Sequence, residues 1–362
     1  MKSAKQQEAL YEIEVLPGLK PFVIEELLAS FNDEVTLLQS EREDQIAIAY
    51  AGDVNRLLKL RTAVAVYLLV PFPIARPKAL LGDENFKLLI KHIRSVIALQ
   101  TARDGLSFRF SAAGKDSTVY GRLRAAIESE TGLTYEEQCG DLLIRLRPAV
   151  LFDDGWEVLI RASTKPLSAR SWRRCDMPGA VNAAIAAVMV ELTKPQTGDK
   201  FLNLMCGSAT ILIERAERLK AAVLIGGDKS QAALCCAQEN IAGSECAQAV
   251  KLICMNSLAL PLPDKFFNVI CADLPWGERV GKRDNNVELY TGFLQEAWRV
   301  SEQHARLVLL TQDTGALEVA SSAVSGWRLK AAYKVYQGGF HPKICVYCKG
   351  QELEQVQVQE NE

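Results

Sequence analysis

Apolar residues recur along this chain with two different periods. Between Leu10 and Val70, strand-like LYEIEVL, QIAIAYA and VAVYLLV are separated by PFVIEELLAS and DVNRLLKLRTA, whose apolar positions fall at helical spacing. That pattern predicts a small α/β unit. A proline-rich join, PFPIARPKAL, leads to a helix (FKLLIKHIRSVIAL), a strand (LSFRFSA), a second helix (TVYGRLRAAIESE) and a hairpin. The hairpin pairs DLLIRLRPAVLF with WEVLIRAS across Asp153-Asp154-Gly155. PGAVNAAIAAVMVEL then predicts a helix with Pro178 near its first turn.

From Lys200 onward, short continuous apolar runs alternate with helical ones: FLNLMC, TILIERAERLKA, AVLIGGD, QAALCCAQENI, AVKLICM, FFNVICAD, LYTGFLQEAWRV and ARLVLLT. Strands that are apolar on both faces and separated by helices imply a mostly parallel sheet covered on both sides. LKAAYKVY and KICVYCK are close enough to pair as an antiparallel edge, and QELEQVQVQENE reads as a flexible tail over 351–362.

A length of 362 residues implies more than one domain. The composition, 49% hydrophobic and 24% charged, suits a soluble protein, with no apolar run long enough for a membrane helix and no apolar signal core in MKSAKQQEAL. The expected location is the cytoplasm, without a membrane or an obligate protein partner. The ten cysteines form no framework and are expected to be reduced thiols. Cys345 and Cys348 make one CxxC without a second pair, so no metal is expected.

The net charge of -2 argues against a nucleic-acid partner only until the charge is read locally. From Arg76 to Arg124 ten Lys/Arg face four acids, and RASTKPLSARSWRR (161–174) carries five Lys/Arg and no acid. Two such stretches beside a ligand-binding domain favour RNA or DNA over an ordinary solvated face.

Ligands of open α/β sheets bind beyond the carboxyl ends of the strands. Four such ends agree here. LMCGSAT (204–210) sets Gly207 in a tight turn and Ser208 at a helix start, and Asp228 of the GGD segment follows Gly207 at the separation from which a carboxylate reaches a ribose diol. Asn256 and Ser257 could meet an adenine edge. A nicotinamide or flavin dinucleotide calls for three glycines, whereas MCGSAT has one, which suits adenine and ribose without pyrophosphate, as in S-adenosylmethionine.

The fourth end, Asp273-Leu274-Pro275-Trp276, decides more. An exocyclic amine on a nucleobase is a poor nucleophile, because its lone pair is delocalised into the ring. If the Asp273 carboxylate and the Leu274 carbonyl each accept one N–H, the lone pair is aimed at an electrophile held in line. Pro275 biases Leu274 toward an extended backbone, Trp276 offers a stacking face worth roughly 1–3 kcal/mol, and Gly277 leaves room for approach. Arg279, Lys282 and Arg283 follow as candidate phosphate contacts.

Asp-Leu-Pro-Trp resembles the (Asp/Asn)-Pro-Pro-aromatic motif of class I S-adenosylmethionine-dependent amino-methyltransferases, in the form found in THUMP-domain tRNA guanine-N2 methyltransferases. MCGSATILIE, GGDKSQAALCCAQENI, PLSARSWRR and GGFHPKICVYCK share the likeness. The resemblance covers 160–349 by motif and the first 160 residues by organisation. It implies a Rossmann-like seven-stranded sheet over 179–350, preceded by a ferredoxin-like unit (1–72), a THUMP unit (73–162) and a basic linker (163–178).

Carried over residue by residue, the resemblance puts the cofactor loop on Asn203, Cys206, Gly207 and Ser208, the ribose acid on Asp228, further cofactor contacts on Asn256, Ser257 and Asp273, and catalysis on Asp273 to Trp276. RNA contacts are expected from Arg94, Arg109, Arg122, Arg124, Lys165, Arg170, Arg173, Arg174 and Arg279. Asn203 and Leu204 stand where the family has Asp-Pro, Ala209 where a second glycine is common, and Asn256 where Asp is frequent. The implied activity is methylation of guanine N2 in tRNA, in the acceptor stem at a position of the position-6 type. Ribosomal RNA or adenine N6 as the substrate, and a catalytically silent RNA-binding adaptor of the same fold, are the alternatives that the tetrapeptide leaves open.

Overall fold

The computed structural model describes residues 8–100, 105–152, 154–246, 249–277 and 285–350. These form two compact units. One holds the residues up to Leu16 and Lys20–Ser168; the other holds Pro17–Leu19 and Ala169 onward.

The first unit runs β1 (Ala9–Glu14), α1 (Lys20–Phe31), β2 (Val35–Leu38), β3 (Gln45–Tyr50), α2 (Val54–Leu57), β4 (Ala65–Phe72), α3 (Asp83–Ile97), β5 (Ser107–Ala112), α4 (Thr118–Thr131), β6 (Thr134–Tyr135), β7 (Leu142–Pro148) and β8 (Trp156–Arg161). Its strands make one sheet in the order β2-β3-β1-β4-β8-β7-β5-β6. Segments 1–72 and 73–162 therefore share one sheet, joined where β4 pairs antiparallel with β8, and two hydrophobic clusters pack its helices. Ile13, Ile48 and Val66 pack with Val23 and Leu27 of α1. Leu68, Val70, Ile144 and Ile160 pack with Leu89 and Ile93 of α3 and Leu123 of α4. Because side chains alternate across a strand, the other sheet face carries Glu12, Gln45, Arg147 and Glu157. These satisfy one another: Arg147 donates to Glu157 at 2.9 Å and to Gln45 at 3.0 Å. Strands β2 and β6 were not foreseen, and the helix expected over 53–63 is a single turn.

The second unit contains α5 (Ala183–Leu192), β9 (Lys200–Leu204), α6 (Thr210–Arg218), β10 (Val223–Asp228), α7 (Gln231–Gly243), β11 (Lys251–Cys254), β12 (Phe267–Asp273), α8 (Asn286–Val300), β13 (Ser301–Thr311), α9 (Thr314–Ala323), β14 (Trp327–Lys334) and β15 (Lys343–Lys349). α5 starts five residues beyond Pro178, where Asn182 caps it by accepting the Ala184 N–H. The sheet order is β11-β10-β9-β12-β13-β15-β14, and its strands are parallel except β15, which pairs antiparallel with β13 and β14. Leu202, Leu204, Ile270, Ala272, Leu307 and Leu309 bury one face under Tyr290, Phe293 and Leu294 of α8 and Leu317 of α9. Each buried Leu, Ile or Phe among them contributes roughly 1.5–3 kcal/mol. This is the Rossmann-like, seven-stranded and mostly parallel sheet that the sequence leads one to expect. Among the described residues no helix is long and apolar enough to cross a membrane.

The expectation of ten free thiols is corrected: Cys175 and Cys236, 61 residues apart, form a disulfide. It fastens the segment before α5 to α7, a meeting that spacing along the chain could not announce.

Candidate active site

In the sheet, β10 and β11 lie to one side of β9 while β12 and β13 lie to the other. The connections change direction between β9 and β12, and that switch point is where such sheets bind ligands.

After β9 the chain alternates in handedness, with Met205 (φ 51°), Gly207 (φ 51°) and Ala209 (φ 65°) all left-handed. The Cys206 N–H donates to the Gly227 carbonyl at 3.0 Å and the Ala209 N–H to the Cys206 carbonyl at 2.8 Å. Asp228 holds the tip. Its Oδ2 accepts the Gly207 N–H at 3.0 Å and its Oδ1 the Ser230 N–H at 2.9 Å. The carboxylate keeps lone pairs for a further donor. Ala209, where glycine is common, takes on a left-handed backbone at a cost of about 1–2 kcal/mol.

Ser208 is buried beside Thr210, with 3.3 Å between their hydroxyls, and its carbonyl accepts from Asn240 at 3.0 Å. Burial and the nearby Asp228 push the Cys206 thiol up to about 12, so it stays neutral. Beyond β11, Asn256 is exposed and accepts the Leu258 N–H at 3.1 Å, whereas Ser257 is buried. Asn203 donates to the Cys271 carbonyl at 3.0 Å, and its Oδ1 is buried without a partner.

These residues fit a ribose-bearing, cationic cofactor such as S-adenosylmethionine. Asp228 can take a diol, Asn203 Oδ1 suits an ammonium donor, and the loop's one glycine N–H is already committed to Asp228, leaving no glycine cradle for a pyrophosphate.

At the end of β12, Asp273 Oδ1 and Trp276 Nε1 are both buried with no hydrogen-bond partner among the described residues. Burial pushes the Asp273 carboxyl up to about 8, and the adjacent Trp276 indole, without reaching bonding geometry, opposes that rise. The rest of the tetrapeptide is fixed from three elements. The Leu274 N–H donates to the Leu310 carbonyl of β13 at 2.9 Å, the Tyr290 hydroxyl of α8 donates to the Pro275 carbonyl at 2.6 Å, and the Trp276 ring meets Phe340 edge-on at 5.8 Å. Tyr290 also shares a 2.8 Å hydrogen bond with Thr311. Burial raises its phenol to about 12, which keeps it a donor. The sequence reading missed Tyr290 and Asn240, because each occupies a position that helical periodicity assigns to packing.

Arg170 donates to the buried Glu214 at 2.8 Å, and Arg173 donates to the Val181 carbonyl, Thr210 and Asp176 at 3.2, 3.0 and 3.0 Å. Between them Trp172 is 3% exposed. Asn240 of α7 accepts the N–H groups of Arg174 and Cys175. Arg170 and Arg173 are therefore held by partners within the second unit, and Lys165 and Arg174 are the exposed basic side chains of this stretch. The isolated sequence showed a run of basic residues but not the carboxylates that fold onto it. In the first unit, Arg94 pairs with Glu130, Arg124 lies over Tyr135 at 4.8 Å, Arg122 is exposed and Arg109 is half-buried. Arg279, Lys282 and Arg283 lie outside the described residues.

Residues 170–343 match the family model UPF0020, described as an RMKL-like methyltransferase domain. The chain is 26% identical over 246 residues to a tRNA (guanine(6)-N2)-methyltransferase of Methanocaldococcus jannaschii, a match that covers 56% of this chain and 62% of that enzyme. It therefore spans less than two thirds of that relative. It is also 26% identical over 339 residues to a tRNA (guanine(6)-N2)-methyltransferase of Thermus thermophilus, covering 91% of this chain and 96% of the relative. The fold is similar to the crystal structure of TrmN from Thermus thermophilus (TM-score 0.72, 23% identity, 94% of this chain and 99% of that one). It is similar also to SMU.472 complexed with SAH (TM-score 0.66, 16% identity, 96% and 100%).

Proposed function

We propose that this chain methylates the N2 amine of a guanine in tRNA, with S-adenosylmethionine as the methyl donor. The observation that carries the proposal is the buried, unpartnered Asp273 Oδ1, which stands at the switch point beside the Asp228-anchored loop. The two relatives support it by the activity in their names.

S-adenosylmethionine would supply an electrophilic methyl group on sulfur. Asp228 would hold its ribose, with Asn203, Ser208, Asn256 and Ser257 around it. Asp273 accepts one N–H of the amine, and the Leu274 carbonyl takes the other. The lone pair is thereby aimed, and the negative carboxylate stabilises the charge that grows on nitrogen. Trp276 stacks on the base. As the N–C bond forms, the methyl–sulfur bond would break and leave S-adenosylhomocysteine, and the amine would pass its proton to the Asp273 carboxylate.

We assign the shared eight-stranded sheet of the first unit to a ferredoxin-like and a THUMP half that grip the tRNA acceptor end, with Arg109, Arg122, Arg124 and Lys165 as phosphate contacts. The target is then an acceptor-stem guanosine of the position-6 type, and the compartment the cytoplasm. Incubation of the purified chain with unmodified tRNA and S-adenosylmethionine, followed by nucleoside mass spectrometry, should yield N2-methylguanosine. Methylated adenosine as the sole product would redirect the assignment to an adenine amine.

A further inference from the structure

Among the described residues, three side-chain carbonyl or carboxylate oxygens are buried without a partner: Asn203 Oδ1, Asp273 Oδ1 and Gln312 Oε1. All three stand at the carboxyl ends of neighbouring strands, β9, β12 and β13. A buried acceptor left unmade costs about 1–3 kcal/mol. Three such atoms at one edge of one sheet mark a polar ligand face rather than scattered packing faults. Asn203 and Asp273 have roles in the site above. Gln312 has none.

Its neighbours in the chain are committed. Thr311 Oγ1 accepts the Asp313 N–H at 3.0 Å and shares the Tyr290 hydroxyl, while the Asp313 carboxylate accepts the Ala316 N–H at 3.1 Å and the Asn286 amide at 3.0 Å. Asp273 is paired in register with Leu310. Gln312 lies two residues beyond Leu310, at the bend where β13 ends. Neighbouring strands are about 4.8 Å apart, so the two side chains leave the same sheet edge within reach of one planar ligand. β13 lies across β12 from β9, away from the cofactor loop.

We propose that Gln312 reads the base: its Oε1 accepts the N1–H of guanine while Asp273 accepts from the neighbouring N2 amine. This rests on the guanine reading above and adds a discriminating residue to it. Guanine presents two adjacent donors, N1–H and N2–H, and suits two acceptors. Adenine presents an amine beside an unprotonated N1, so Gln312 would have to turn its amide over and donate Nε2 to meet it. Asp273-Leu274-Pro275-Trp276 recognises an amine; Gln312 makes the site select guanine.

The test compares two tRNAs that carry, at the methylated position, either guanosine or 2-aminopurine riboside, which keeps the 2-amine but has no N1–H. Wild type should lose about 10–100-fold in kcat/KM on 2-aminopurine, the worth of one buried hydrogen bond. Gln312→Leu should reduce that preference about tenfold by slowing on guanosine, while S-adenosylmethionine binding by calorimetry stays unchanged. Gln312→Glu, isosteric and still an acceptor, should keep the preference. Equal rates of wild type on both tRNAs, or a preference unaltered in Gln312→Leu, overturns the assignment. Absence of transfer to guanosine by wild type overturns the guanine reading and this assignment together, a result distinct from either of those two.

Discussion

The Tyr290 hydroxyl donates to the Pro275 carbonyl across 2.6 Å, so α8 fixes the backbone two residues beyond Asp273. A Tyr290→Phe variant removes that one donor and leaves the ring packing in place. It should lower kcat about tenfold, the worth of one buried hydrogen bond, with KM for S-adenosylmethionine unchanged, because no cofactor residue is touched. Steady-state kinetics on tRNA would show this split. A shift in cofactor KM with an intact kcat would show that Tyr290 acts only on the fold.

The pH dependence follows from Asp273. Burial raises its carboxyl to about 8, so the anionic acceptor becomes populated as pH rises toward that value. Log kcat/KM should climb below about pH 8 and level off above it, and Asp273→Asn should flatten the climb. Stability runs the other way. Between the ordinary carboxylate range and about 8 the folded chain holds a proton that the unfolded chain has released, so stability falls as pH rises through that window. The Asn variant should lose that slope, measured by denaturant unfolding across the window.

Arg170 and Glu214, side chains 9% and 1% exposed, form a buried ion pair. Arg170→Met removes a charged partner of the buried Glu214 carboxylate and should destabilise the second unit by about 3–5 kcal/mol. Adding Glu214→Leu should recover much of the loss. Arg174→Gln, which alters an exposed side chain, should leave stability unaltered and reduce the salt dependence of tRNA binding. A smaller salt slope in the Arg170 variant at full stability would restore that residue to the RNA surface.

The second unit was the more legible half. Apolar runs on both faces of β9, β10, β12 and β13 announced a parallel sheet, and Gly207, Asp228 and Asp273 stood at the ends of those strands, because ligand chemistry collects at the carboxyl edge. Gly207 and Asp228 turn out to be hydrogen-bonded to each other, a link that their spacing suggested only in terms of a ribose. The linker was less legible. Arg170 and Arg173 read as free cations until Glu214 and Thr210 of α6 folded against them, and Cys175 met Cys236 for the same reason. Periodicity along the chain finds the face of an element, but not the partner that arrives from 40 or 60 residues away. Gln312 was silent for a further reason: its signal is an unsatisfied atom, which exists only in three dimensions.

The account turns on Asp273 holding an amine. The decisive measurement is methyl transfer to tRNA by Asp273→Ala, set beside tRNA binding by the same variant. Transfer should be lost while the dissociation constant for tRNA stays within about twofold, because positioning is removed and the phosphate contacts are not. Transfer at the wild-type rate by Asp273→Ala would contradict the central claim.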